Sequence, residues 1–107
     1  MTIHQVFFIA DGFQALDLFG PLDAFMETNA FVPHAYKPQI LGVQDRIVKT
    51  VYGQSVQTDL CLNDEFELDD LIICGGNGMR TLSLGVTELE RLRKIATKAK
   101  RIFSICP

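Results

Sequence analysis

This chain of 107 residues holds three cysteines and two histidines, and it has no surplus of basic residues. Cys61, Cys74 and Cys106 are odd in number and far apart, with no CxxC pair and only His4 and His34 to join them. That spacing provides neither a disulfide framework nor a zinc site, so no metal is expected. Ten Lys and Arg against thirteen Asp and Glu leave a formal charge of −3. Contact with phosphates through counterion release needs a basic excess, and these residues by themselves are not expected to bind DNA. The local exception, Lys94, Lys98, Lys100 and Arg101, reads as a solvated helix face. No run approaches the ~18 apolar residues of a membrane span, and the opening MTIHQVFFIADG lacks the charged lead and cleavage site of a signal peptide. No membrane partner is expected, and a cytoplasmic location follows by default. Repeats and low-complexity stretches are missing too.

What is present suits an ordinary globular domain: 48% hydrophobic and 21% charged residues, on a length that fits one core. Val6, Phe7, Phe8 and Ile9 form a short apolar run ending in Ala10-Asp11-Gly12, the pattern of a strand buried on both faces followed by a turn. Leu18, Leu22, Phe25 and Met26 recur at helical spacing, with Pro21 placed where a first helical turn tolerates it, which predicts a helix over about 20–29. PQILGV, residues 38–43, is a second apolar run, and residues 47–53 alternate and then turn as a small hairpin. Leu71-Ile72-Ile73-Cys74 breaks on Gly75-Gly76-Asn77-Gly78, a buried strand entering a glycine loop. Thr87 and Glu90 have capping-box spacing ahead of a stripe of Leu89, Leu92, Ile95, Ala96 and Ala99, which predicts a helix over about 88–99 and then a last strand over 101–105. Strands alternating with helices imply βαβ units and an α/β fold with a parallel sheet.

In an open parallel sheet, ligands bind outside the carboxyl ends of the strands, where strand order reverses. Three features fall at such ends: Asp11, Gly12 and Asp17 after the first strand, Gly75, Gly76 and Asn77 after the LIIC strand, and Cys106 after the last. A cysteine that ends a strand and opens a helix sits where the helix dipole favours its thiolate. A carboxyl beside it raises the thiol pKa unless it is itself protonated and donates to the sulfur. Glycine-loop N–H groups facing that sulfur suit an anion or a developing oxyanion. The plainer readings are a buried cysteine acting as a small hydrophobe, Asp17 capping a helix, and Gly-Gly-Asn-Gly serving only as a turn. Cys61 and Cys74 read as core or surface residues, and His34, beside Pro33, as a loop residue.

The stretches FFIADGFQALDLFGPLDAFMETN, DRIVKTVYGQSVQTD, LDDLIICGGNG and KRIFSIC together resemble the ThiJ/PfpI superfamily, with the class I glutamine amidotransferase-like fold. They are most similar to the branch found as the N-terminal domain of AraC-type regulators and in isonitrile hydratase. The resemblance implies a flavodoxin-like three-layer sandwich, usually a homodimer, with no cofactor. Cys106 then matches the nucleophile-elbow cysteine, Asp17 the acid that faces it, and Gly75 and Gly76 the opposite wall. In the regulators, DNA is bound by a separate C-terminal helix-turn-helix domain.

Two departures bear on function. Relatives often carry Thr or Gly after the elbow cysteine, whereas this chain has Pro107, which lacks the N–H that helps form an oxyanion hole. The family domain also continues past the elbow, so residues 1–107 read as its first half, which would leave a strand edge and an apolar face uncovered. The leading expectation is an effector-sensing domain of an AraC-type regulator, binding a small metabolite near Cys106, Asp11, Gly12, Gly75, Gly76 and Asn77. The alternatives are a hydratase or hydrolase with Cys106 as nucleophile and Asp17 as acid/base, and a cysteine-based oxidation sensor.

Overall fold

The computed structural model describes residues 1–44 and 46–105. Along them run β1 (Ile3–Phe8), α1 (Ala15–Thr28), β2 (Tyr36–Gly42), β3 (Ile47–Lys49), β4 (Ser55–Gln57), β5 (Leu60–Cys61), β6 (Asp70–Ile73), α2 (Asn77–Arg80), α3 (Val86–Lys98) and β7 (Arg101–Ser104). Five strands form one parallel sheet in the order β5-β2-β1-β6-β7, and β3 and β4 pair as an antiparallel hairpin. From β1 the chain winds outward through β2 to β5, then returns to the other side of β1 for β6 and β7. Strand order therefore reverses between β1 and β6, and the crevice lies at their carboxyl ends. This is a mainly parallel, flavodoxin-like α/β fold.

Because side chains alternate across a strand, β1 feeds two cores. Val6 and Phe8 join Leu41, Leu71 and Ile95 on the face covered by α3. Phe7 and Ile9 join Phe13, Leu18, Ile72 and Cys74 on the face covered by α1. Each such fully buried aliphatic or aromatic side chain contributes ~1.5–3 kcal/mol over its exposed state. The central strand supplies both cores, which accounts for its unbroken apolar run.

Several expectations need correcting. The first helix begins at Ala15, not near residue 20, so Pro21 lies well inside it. A proline there has no N–H for the carbonyl four residues earlier, which is that of Asp17. The cap of the third helix lies two residues before the expected one: Gly85 is the N-cap, and its N–H donates to Glu88 Oε1 at 3.0 Å. Glycine has no side chain to complete a reciprocal box, so half of that motif operates. Leu92, Ala96 and Ala99 pack with Ile95 as the stripe predicts, but Leu89 is 42% exposed. Strand β5 had no signal of its own in so short a stretch.

Arg101 does not belong to a solvated helix face. It opens β7, and its Nε and Nη2 donate to Asp70 Oδ1 and Oδ2 at 2.8 and 3.1 Å, while Gln5 Nε2 donates to Asp70 Oδ2 at 3.1 Å. Asp70 is buried, and the bidentate fork offsets its desolvation. The same contact raises the Arg101 pKa above its already high ordinary value. Lys98 and Lys100 stay on the surface and pair with Glu65 and Asp69. On β7, Ile102 and Phe103 are 54% and 43% exposed.

Candidate functional site

The site is built where β1 and β6 end. Strand-type hydrogen bonds continue just past both strands, from Ile9 N–H to the Leu41 carbonyl and from Cys74 N–H to the Phe8 carbonyl. The two turns that follow then lock onto each other. Gln14 N–H donates to the Gly75 carbonyl at 2.9 Å, and Gly78 N–H donates to the Gly12 carbonyl at 3.0 Å. These are backbone-to-backbone contacts with no room for side chains. A Cβ on Gly76 would come within 2.5 Å of the Gln14 nitrogen, and one on Gly78 would strike the Asp11 carbonyl oxygen. Gly76 also has φ of +131°, a conformation that favours glycine. The glycines are required because two main chains meet here, which brings Gly12, Gly75 and Gly76 into one place.

Among the described residues, the N–H groups of Gly75 and Gly76 have no hydrogen-bond acceptor. Asn77 follows as the exposed first residue of α2, with Gly76 as its N-cap.

Asp17 lies in the first turn of α1, where its charge complements the helix dipole. It is not the N-cap: Gln14 holds that position, without a side-chain cap bond. The Asp17 N–H donates to the Gln14 carbonyl at 3.0 Å, and its Oδ2 is buried with no partner among the described residues. A buried, unpartnered carboxylate oxygen is costly and calls for a donor. Cys106, the predicted facing residue, lies outside the described residues, as does Pro107.

A neighbour of Asp17 that sequence reasoning left in the core is Cys74. It is fully buried at the end of β6, directly before Gly75. Burial pushes its thiol up to about 12, and the Asp17 charge pushes in the same direction. Cys74 is thus a protonated, unreactive thiol beneath the site. The strand-end position gave the only available hint of this, since the proximity to Asp17 depends on where α1 begins.

Asp11 divides its two ends between neighbours. Its backbone carbonyl faces Gly78, whereas its carboxylate Oδ1 accepts the Lys49 N–H at 3.0 Å. Gly12 N–H donates to the Lys49 carbonyl at 2.8 Å and Val51 N–H to the Phe13 carbonyl at 2.9 Å. The β3-β4 hairpin is therefore strapped to the turn after β1, and through Gly12 to the glycine loop. Lys49 acts through its backbone, which side-chain chemistry read from sequence does not reveal. Among the described residues no cluster of His, Cys, Asp and Glu is arranged to hold a metal ion.

Comparison with known proteins agrees with this architecture. The chain is 28% identical over 101 residues to an uncharacterized protein in the cpoL 5′ region of Streptomyces lividans, covering 94% of this chain and 71% of that one. A ThiJ/PfpI family protein from Pseudomonas syringae superposes with a TM-score of 0.81 at 19% identity, over 99% of this chain and 43% of that one. An AraC family transcriptional regulator from Pseudomonas putida superposes with a TM-score of 0.72 at 21% identity, over 90% of this chain and 51% of that one. The chain thus spans about half the length of these solved structures or less, and at such identities they share its fold. The sequence matches the model of the DJ-1/PfpI family over residues 4–107, and the chain belongs to that family.

Proposed function

We propose that this chain senses a small metabolite within an AraC-type transcriptional regulator, in the crevice between the ends of β1 and β6 near Cys106. Supporting this is Pro107, the residue that follows the elbow cysteine. An elbow enzyme draws one oxyanion donor from the N–H after its nucleophile, and losing such a donor costs ~10²–10³ in rate. A binding site has no such requirement. The fold shared with the Pseudomonas putida regulator is consistent with this reading. Asp17, Gly75, Gly76 and Asn77 then offer acceptor and donor groups to the effector, Asp11 and Gly12 hold the crevice wall, and DNA contact falls to another domain of a homodimer. Nuclease footprinting of the intact protein on DNA flanking its own gene tests the proposal. Sequence-specific protection is expected, and its absence at low salt would refute it.

One observation favours an enzyme instead. The buried, unpartnered Asp17 Oδ2 is placed as a proton-handling acid would be. Under that reading Cys106 attacks an electrophilic carbon, as in a hydratase or hydrolase. Turnover of isonitriles and amides that is lost in Cys106→Ala would establish it. Equal or absent turnover in both forms removes it.

A further inference from the structure

A second hollow opens at the same end of the sheet, on the β2 side of β1, away from β6. It is a cavity of about 260 Å³. Val43, Val48, Leu82 and Leu84 contribute apolar walls, and Val43 and Leu82 also pack on the α3-side core. Its volume falls just below the roughly 300–1,000 Å³ of pockets for drug-sized ligands, which suits an occupant smaller than those.

The charged side chains of this cavity share one sign. Glu88 accepts Gly85 N–H through Oε1 and Gln44 Nε2 through Oε2, at 3.0 and 3.1 Å. A carboxylate can only accept, so that contact fixes which end of the Gln44 amide faces it, and the Gln44 Oε1 has no partner among the described residues. Asp11 uses Oδ1 for Lys49 N–H, and its Oδ2 has no partner among the described residues. The cavity therefore offers two carboxylates beside the Gln44 amide and the Ser83 hydroxyl, and no lysine or arginine lines it among the described residues. Carboxylates beside an apolar wall focus a negative potential into the hollow.

We propose that this cavity binds a short aliphatic ammonium compound, with its chain against Val43, Val48, Leu82 and Leu84 and its cationic end on Asp11. The proposal stands apart from the regulator reading and holds whether or not the protein controls transcription. It does carry a consequence for the crevice, because Asp11 ties the cavity to the hairpin strap and to the glycine loop.

The test is a titration of the intact, methyl-labelled protein with n-butylammonium, and with butyrate as the anion of similar size. Saturable shifts of the Val43, Val48, Leu82 and Leu84 methyls are expected with butylammonium and not with butyrate. Asp11→Asn keeps an acceptor for Lys49 N–H but removes the charge, and it should weaken butylammonium binding about tenfold or more while other resonances stay in place. Val43→Phe should fill the hollow and abolish the shifts. No saturable response, equal binding of butyrate, or shifts centred on Gly75 and Gly76 instead would each overturn the proposal.

Discussion

Replacing Gly78 by alanine sets two effects of opposite sign against each other. Gly78 lies in α2, where alanine is favoured over glycine by ~1 kcal/mol on helical propensity. Against this, a Cβ at Gly78 would come within 2.5 Å of the Gly12 Cα and would strike the Asp11 carbonyl oxygen. Both obstacles are backbone, so no rotamer change relieves the clash and the two turns must separate. Overpacking of this kind costs ~1–3 kcal/mol or more, and losing the Gly78 N–H bond to Gly12 adds ~1 kcal/mol. The steric term and the lost bond together outweigh propensity, for a net destabilisation of ~1–3 kcal/mol, or a Tm lower by roughly 4–24 °C in a domain of about 100 residues. Gly20→Ala is the internal control. It lies in α1 with only the Leu16 Cδ1 near, at 3.7 Å, and should gain ~0.5–1 kcal/mol. Thermal unfolding of both variants in the intact protein decides. A Gly78→Ala protein as stable as Gly20→Ala would refute the claim that two main chains meet at this point.

Three further outcomes are expected. Cys74 has its thiol raised from 9.0 to about 12, so the folded state holds a proton that the unfolded state releases. Its contribution to stability is fully present below pH 9 and falls by ~1.4 kcal/mol per pH unit between the two values. Urea unfolding at several alkaline pH values should show that slope reduced in Cys74→Ala. Iodoacetamide labelling of the native protein near pH 8 with peptide mass mapping should leave Cys74 unmodified, because it is buried and protonated; labelling of Cys74 as rapid as that of Cys61 would contradict its placement. Arg101→Met strips the buried Asp70 of its fork and should lower the Tm, and adding Asp70→Asn should recover part of the loss; no recovery would mean that the pair is not the cause.

The strands of this fold were legible wherever burial is two-sided. VFFI and LIIC carry no alternation, because each feeds a core on both faces, and both proved central. The start of α1 was not legible, because the helix begins without a side-chain cap and continues through Gly20 and Pro21, two residues that argue against helix. Strand β5 is fixed by pairing with β2 alone, a tertiary cause with no local trace. Gly75 and Gly76 stood out by composition, but the reason for Gly76 and Gly78 lies in the facing turn of Asp11 to Gln14. That cause spans more than sixty residues and appears only once β1 and β6 are neighbours. Arg101 misled as one of a basic cluster, since its partner Asp70 is buried at the start of another strand.

The most direct test of the central claim is footprinting of the intact protein on DNA flanking its gene, repeated with the Cys106→Ala variant and with candidate metabolites. The account predicts specific protection that survives Cys106→Ala and that a metabolite bound in the crevice alters. No protection by either protein, together with turnover that Cys106→Ala abolishes, would contradict it.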